Sequence, residues 1–133
     1  MAGVDGVEGV VTKVSPRPVS DTVARLVDLL GSKGVKVFAV IDQQAEARAV
    51  GLDLRETTLV IFGNPKAGTG VMEASPLAAL DLPLKVLVWA EPGGATSVSY
   101  TAPSTVAARY GLIPGTAAAL EVVDGLTDAI VAD

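Results

Sequence analysis

The chain has 133 residues, half of them hydrophobic, with 10 basic against 15 acidic side chains for a formal charge of −5. That acidity, with no run of Lys or Arg, removes the phosphate-neutralising charge on which nucleic-acid binding depends, and the five scattered aromatics Phe38, Phe62, Trp89, Tyr100 and Tyr110 make no stacking platform. With neither Cys nor His, disulfides, thiolate nucleophiles, zinc sites of the Cys/His type and His-based triads are excluded, leaving proton transfer to carboxylates, Lys or Tyr.

Val7 to Val14 reads as a first strand, weakened at Gly9 and ended by Pro16 and Pro18. Ser20 stands where an N-cap belongs, and Val23, Leu26, Val27 and Leu30 recur at helical spacing up to the stop at Gly34. Val35 to Asp42 is nearly all apolar, which predicts a strand covered on both sides or at a sheet centre. A short helix over Gln44 to Val50 follows, closed by Gly51. Thr57 to Phe62 alternates, with Thr58, Val60 and Phe62 on one face and Leu59 and Ile61 on the other.

After the Gly63-Asn64-Pro65-Lys66 turn, Thr69 is the expected N-cap of a helix through Val71, Met72 and Ala74, with Ser75-Pro76 opening a further turn. Pro83 ends the helical region. Leu84 to Ala90 and Thr96 to Thr101 form a hairpin across Gly93-Gly94. Pro103 to Tyr110 predicts a short helix, and Leu120, Val123, Thr127 and Ile130 trace one face of a last one. The order β-α-β-α-β-α-β-β-α-α lacks the strict alternation of a doubly wound sheet. It predicts one α+β domain over residues 1–133, two-layered, with a mainly antiparallel curved sheet and helices on one face.

The Met1–Gly6 start lacks the charge and apolar core of a secretion signal. Pro92 to Ala108, the longest uncharged stretch, is broken by Pro92, Gly93, Gly94 and Pro103 and predicts no spanning helix. A soluble, cytoplasmic protein is expected, without metal or cofactor and with neither nucleic acid nor membrane as partner. The mean hydropathy of +0.49 fits either an apolar surface shared in a homodimer or a chain rich in Ala and Val.

Ala39-Val40-Ile41-Asp42, Gly51-Leu52 with Arg55-x-Thr57-Thr58-Leu59, Phe62 through Thr69, and Ala79 through Lys85 together resemble the DUF302 family, whose small members are called TT1751-like, from about residue 10 to 110. The resemblance implies a compact α+β fold of the TBP-like type and strengthens the expectation of a homodimer. It implies no activity, because the family is defined by unknown function. Members commonly carry His where this chain has Gln43, so a role for that imidazole has no counterpart here.

Gly63-x-x-x-x-Gly68 opens like a phosphate loop, but Thr69-Gly70 stands where Lys and Ser/Thr should follow, which disfavours a nucleoside triphosphatase. The same residues also make an ordinary tight turn. A ligand site drawn from the strand ends would comprise Asp42, Arg55, Asn64, Lys66, Gly68, Thr69, Asp81 and Lys85, with Arg55 at the far end of its strand from Lys66. A carboxylate beside Pro83, as at Asp81, more often caps a backbone turn or pairs with Lys or Arg. Three functions remain: a homodimeric domain binding or sensing a small anionic or amphipathic molecule, an enzyme of hydrolase or isomerase type using Asp42, Lys66, Asp81 or Lys85, and an interaction domain dimerising through its sheet.

Overall fold

The computed structural model describes residues 7–133, so the reading of Met1–Gly6 lies outside the described residues. Five strands, β1 (Val10–Ser15), β2 (Lys36–Asp42), β3 (Thr57–Gly63), β4 (Leu84–Ala90) and β5 (Thr96–Thr101), form one sheet in the order β1-β5-β4-β3-β2. Every neighbouring pair is antiparallel. The helices are α1 (Val19–Ser32), α2 (Gln43–Ala49), α3 (Pro65–Ala74), α4 (Pro103–Tyr110), α5 (Pro114–Ala117) and α6 (Val122–Val131), with 3₁₀ turns at Pro76–Asp81 and Ala118–Leu120. This is the expected α+β architecture with a largely antiparallel sheet.

Register explains which side chains go inside. Residues directly opposite in an antiparallel ladder share a face, so Thr58, Val88 and Val98 lie in one row, and Val60 with Val86 in the next. All five are buried, and Val60, Val86, Val88 and Val98 join Phe62 in meeting Leu26 and Leu30 of α1 and Val123, Leu126 and Ile130 of α6 in the main core. The opposite face carries the row Ile41, Leu59, Leu87, Ser99 and Thr12, running across all five strands. Its apolar members are half-buried. Trp89 donates its indole N–H to Ser99 Oγ at 3.0 Å, and Thr12 and Ser99 share a hydrogen bond of 2.9 Å, which seals the β5 end of that face. A second, smaller core gathers Val71, Ala78, Val106 and Leu120.

The last helix starts only at Val122, leaving Leu120 of the expected helical face in the 3₁₀ turn before it; three other elements depart from expectation, each for a local reason. α1 begins at Val19, after Pro18, rather than from a cap at Ser20. Burial of Val19 extends the apolar face one turn backwards and outweighs the side-chain cap. α3 begins at Pro65 with Asn64 as its cap, because Asn followed by Pro is as good a helix start as a turn; Thr69 lies inside the helix and bonds its hydroxyl back to the Pro65 carbonyl at 2.6 Å. β2 is an edge strand, not a covered one, with Phe38 and Val40 46% and 47% exposed. Its ladder slips between Val37 and Ala39, and such bulges are common on strands that must end pairing.

The β4–β5 hairpin closes through Glu91 N–H to Ala95 O and Gly94 N–H to Glu91 O, both 2.8 Å. Gly94 has φ +94°, a conformation that only glycine adopts without strain.

A candidate ligand cavity beside the third helix

Where β3 runs into α3, a cavity of about 340 Å³ lies between the main and second cores, with Leu84 packed against both. Phe62 and Leu84 come from the sheet, Val71 and Met72 from α3, Leu82 and Pro83 from the turn before β4, and Ala118, Ala119, Leu120 and Val122 from the C-terminal segment. The Leu82–Pro83 peptide is cis. The bulge residue Phe38 and the half-exposed Met72 stand at the mouth. A Cβ built on Gly63 would make ordinary contacts, 3.5 Å from Pro83 Cβ and 3.7 Å from Phe38 Cε2, which sets both side chains beside the strand end.

Among the described residues no charged side chain lines this space, and Asn64 is the only polar one that does. Asn64 is already engaged, its Oδ1 accepting from the Lys66 amide at 3.0 Å and its carbonyl from the Gly68 amide at 2.8 Å. The Gly68 bond is the first regular one of the helix, and the Lys66 amide, one of the free N–H donors that an anion would seek at a helix start, is thus turned to the chain itself. The chemistry of the walls suits an apolar body.

Among the residues singled out from sequence, Asn64 and Gly68 line the cavity. Lys66 and Thr69 lie on exposed positions of the same helix. Arg55 precedes β3 and offers its carbonyl to the Thr57 hydroxyl at 2.9 Å, some 20 Å of strand away from Lys66. Asp42 caps α2, accepting from Ala45 N–H at 2.9 Å. Lys85 reaches the Pro83 carbonyl at 3.3 Å and pairs opposite Ile61, on the outer face of the sheet. The ladder sets Asp42 against Thr58 and Lys85 against Ile61, three residues or about 10 Å apart along β3.

Asp81 has partners in α4, accepting from Arg109 Nη1 at 2.8 Å and from the Tyr110 hydroxyl. The Tyr110 hydrogen bond, aided by Arg109 and opposed by partial burial, holds the Asp81 carboxyl below its usual range. The same bond raises Tyr110. Among the described residues no group of three or more Asp or Glu stands ready to hold a metal.

Sequence reasoning missed a second polar cluster, between the sheet and α6. Lys13 donates to the Thr127 hydroxyl at 2.7 Å and to the Asp124 carbonyl at 3.1 Å, and pairs with Asp128 at 2.8 Å. Tyr100 donates its hydroxyl to Asp124, with Lys13 5.2 Å from its ring centre. Burial lowers Lys13, but the Asp128 and Tyr100 hydrogen bonds outweigh it and the ammonium lies above its ordinary value. Burial raises Tyr100. Every member is satisfied within the chain, so the cluster fastens α6 to the sheet. It was hidden because a lone Lys in β1 carries no periodic signal.

The family profile described as "Domain of unknown function DUF302" matches residues 11–132, reaching past Tyr110 through the last helix. The crystal structure of an uncharacterized conserved DUF302 protein from Bacillus stearothermophilus is similar with a TM-score of 0.77 at 19% identity, over 94% of this chain and 97% of that one. That likeness is one of fold. The fluoride-specific ion channel FluC 1 of Brucella suis is 36% identical over 104 residues, 78% of this chain and 41% of that protein. FluC 2 of Brucella melitensis matches equally over 38% of its length, so the chain spans about two fifths of these curated relatives.

Proposed function

The chain belongs to the DUF302 family, and we propose that it acts as a small-ligand-binding domain whose cavity beside α3 takes up the apolar body of an amphipathic molecule. The supporting observation is the cavity itself: about 340 Å³, at the lower end of the size range of small-molecule sites, with walls free of charge. Burying apolar ligand surface there contributes about 25 cal/mol per Å². The carboxylates an enzyme would use are differently occupied, Asp42 in capping a helix and Asp81 in holding Arg109 and Tyr110, which favours binding over hydrolase or isomerase chemistry. Uptake of the neutral fluorophore N-phenyl-1-naphthylamine tests this. Saturable fluorescence enhancement at one site per chain is expected, and a signal no greater than that of an unrelated acidic protein would refute it.

In this reading the domain is a cytoplasmic homodimer joined through the outer sheet face, where Ile41, Leu59, Ile61 and Leu87 are half-buried in the single chain. Sedimentation equilibrium checks it: a dimer at micromolar concentration that Leu59→Glu converts to monomer is expected, and a wild-type monomer would contradict it. The likeness to proteins named fluoride-specific ion channels supports a second reading, a ligand-responsive accessory to a fluoride channel. Among the described residues no helix is long and apolar enough to cross a membrane. Fluoride efflux from vesicles holding such a channel should change when the liganded domain is added. Efflux that stays constant at saturating domain would count against it.

A further inference from the structure

We infer that the ligand is an apolar monocarboxylate, its hydrocarbon body in the cavity and its carboxylate at the mouth beside Lys36. The inference rests on the binding reading above and adds to it the charge and orientation of the guest. Its first premise is that the interior gives a charged group nothing: among the described residues no ionic side chain lines it, and the one polar side chain that does is committed to capping α3. A charge buried there without partners would be expelled, so any ionised end must remain at the opening.

The opening is not neutral. Phe38, 46% exposed, forms part of it, and the Lys36 ammonium stands 5.0 Å from the centre of that ring. Lys36 also lies directly opposite Gly63, another lining residue, in the β2–β3 ladder. Directly opposite residues share a face, so that pairing starts Lys36 from the outer side of the sheet, and it is the 5.0 Å approach of its ammonium to the Phe38 ring that carries the cation to the rim. The bulge between Val37 and Ala39 makes this possible, because it takes Phe38 out of regular pairing on an edge strand. On a chain of net charge −5, a lysine beside this apolar opening selects for an anion where the general surface repels it. The lysine stem can lie along the ring while its head stays in water, which leaves the ammonium available to a guest carboxylate.

Matched octyl ligands test this by displacing N-phenyl-1-naphthylamine from the wild-type domain and from Lys36→Gln, with Lys66→Gln as a control on a neighbouring exposed lysine. Octanoate should displace the probe at about 3- to 5-fold lower concentration than octan-1-ol in the wild type, the range of an exposed ion pair. Lys36→Gln should abolish that preference while leaving octan-1-ol unchanged, and Lys66→Gln should keep it. The preference should shrink in 1 M salt, where screening is nearly complete. Equal displacement by acid and alcohol in the wild type, or an octanoate preference that survives Lys36→Gln, overturns the inference and leaves the cavity reading standing. Failure of the probe to bind at all overturns the cavity reading and this inference with it. Because Lys36 is exposed, the variant should retain the wild-type thermal midpoint, measured in parallel.

Discussion

Gly68→Leu separates stability from binding in a single substitution. Gly68 lies within α3 and lines the cavity, and a Cβ built on it meets no atom within 4 Å. Glycine inside a helix costs about 1 kcal/mol against alanine or leucine, so the variant should be more stable by about that amount. For a domain of this size that is about 3–6 °C in thermal midpoint. Its four added carbons fill space at the cavity wall and exclude a comparable length of guest. At about 0.8 kcal/mol per methylene the loss is about 3 kcal/mol, or about 100-fold in affinity. Circular dichroism melting and probe titration on the same sample give both numbers. A variant more stable than wild type that still binds N-phenyl-1-naphthylamine at full affinity would refute the placement of the guest against α3.

Other substitutions check the framework around the site. Lys13→Met removes contacts to Asp124, Thr127 and Asp128 and should cost about 2 kcal/mol in urea unfolding. Asn64→Ala deletes the α3 cap and should cost about 1 kcal/mol, while Asn64→Asp keeps the acceptor and should cost little. Asp81 is lowered in the folded state, so the stability it adds is complete above the unfolded carboxyl value near 3.9 and fades as pH falls through the folded value. Asp81→Asn should therefore unfold earlier than wild type at pH 7, by up to about 1 kcal/mol for so exposed a pair, with the two curves converging toward pH 2.

Local pattern carried the fold well where one physical signal acted alone. Thr58, Val60 and Phe62 alternate inward as their spacing requires, and Leu120, Val123, Thr127 and Ile130 are all buried along the C-terminal segment. Strand order was less legible: the apolar run of β2 reads as a covered strand, yet it is an edge whose bulge turns Phe38 to the cavity mouth. The candidate cavity was half legible. The turn at Asn64 and Gly68 announces itself through Gly, Asn and Pro, but attention to polar strand ends passed over the apolar walls. Val71, Leu82 and Leu84 look like ordinary core, and Ala118, Ala119 and Leu120 lie some fifty residues away in sequence. Only the meeting of two cores turns them into one surface. Lys36 carries no motif; it matters because its ammonium reaches the ring of Phe38, which lines the cavity.

The most direct measurement is a methyl-resolved ¹³C NMR titration with octanoate. Saturable shifts confined to the methyls of Val71, Met72, Leu82, Leu84 and Leu120, the cavity walls, are the expected result. Shifts centred instead on Ile41, Leu59 and Leu87 of the outer sheet face, or none at millimolar octanoate, would contradict a ligand cavity beside α3.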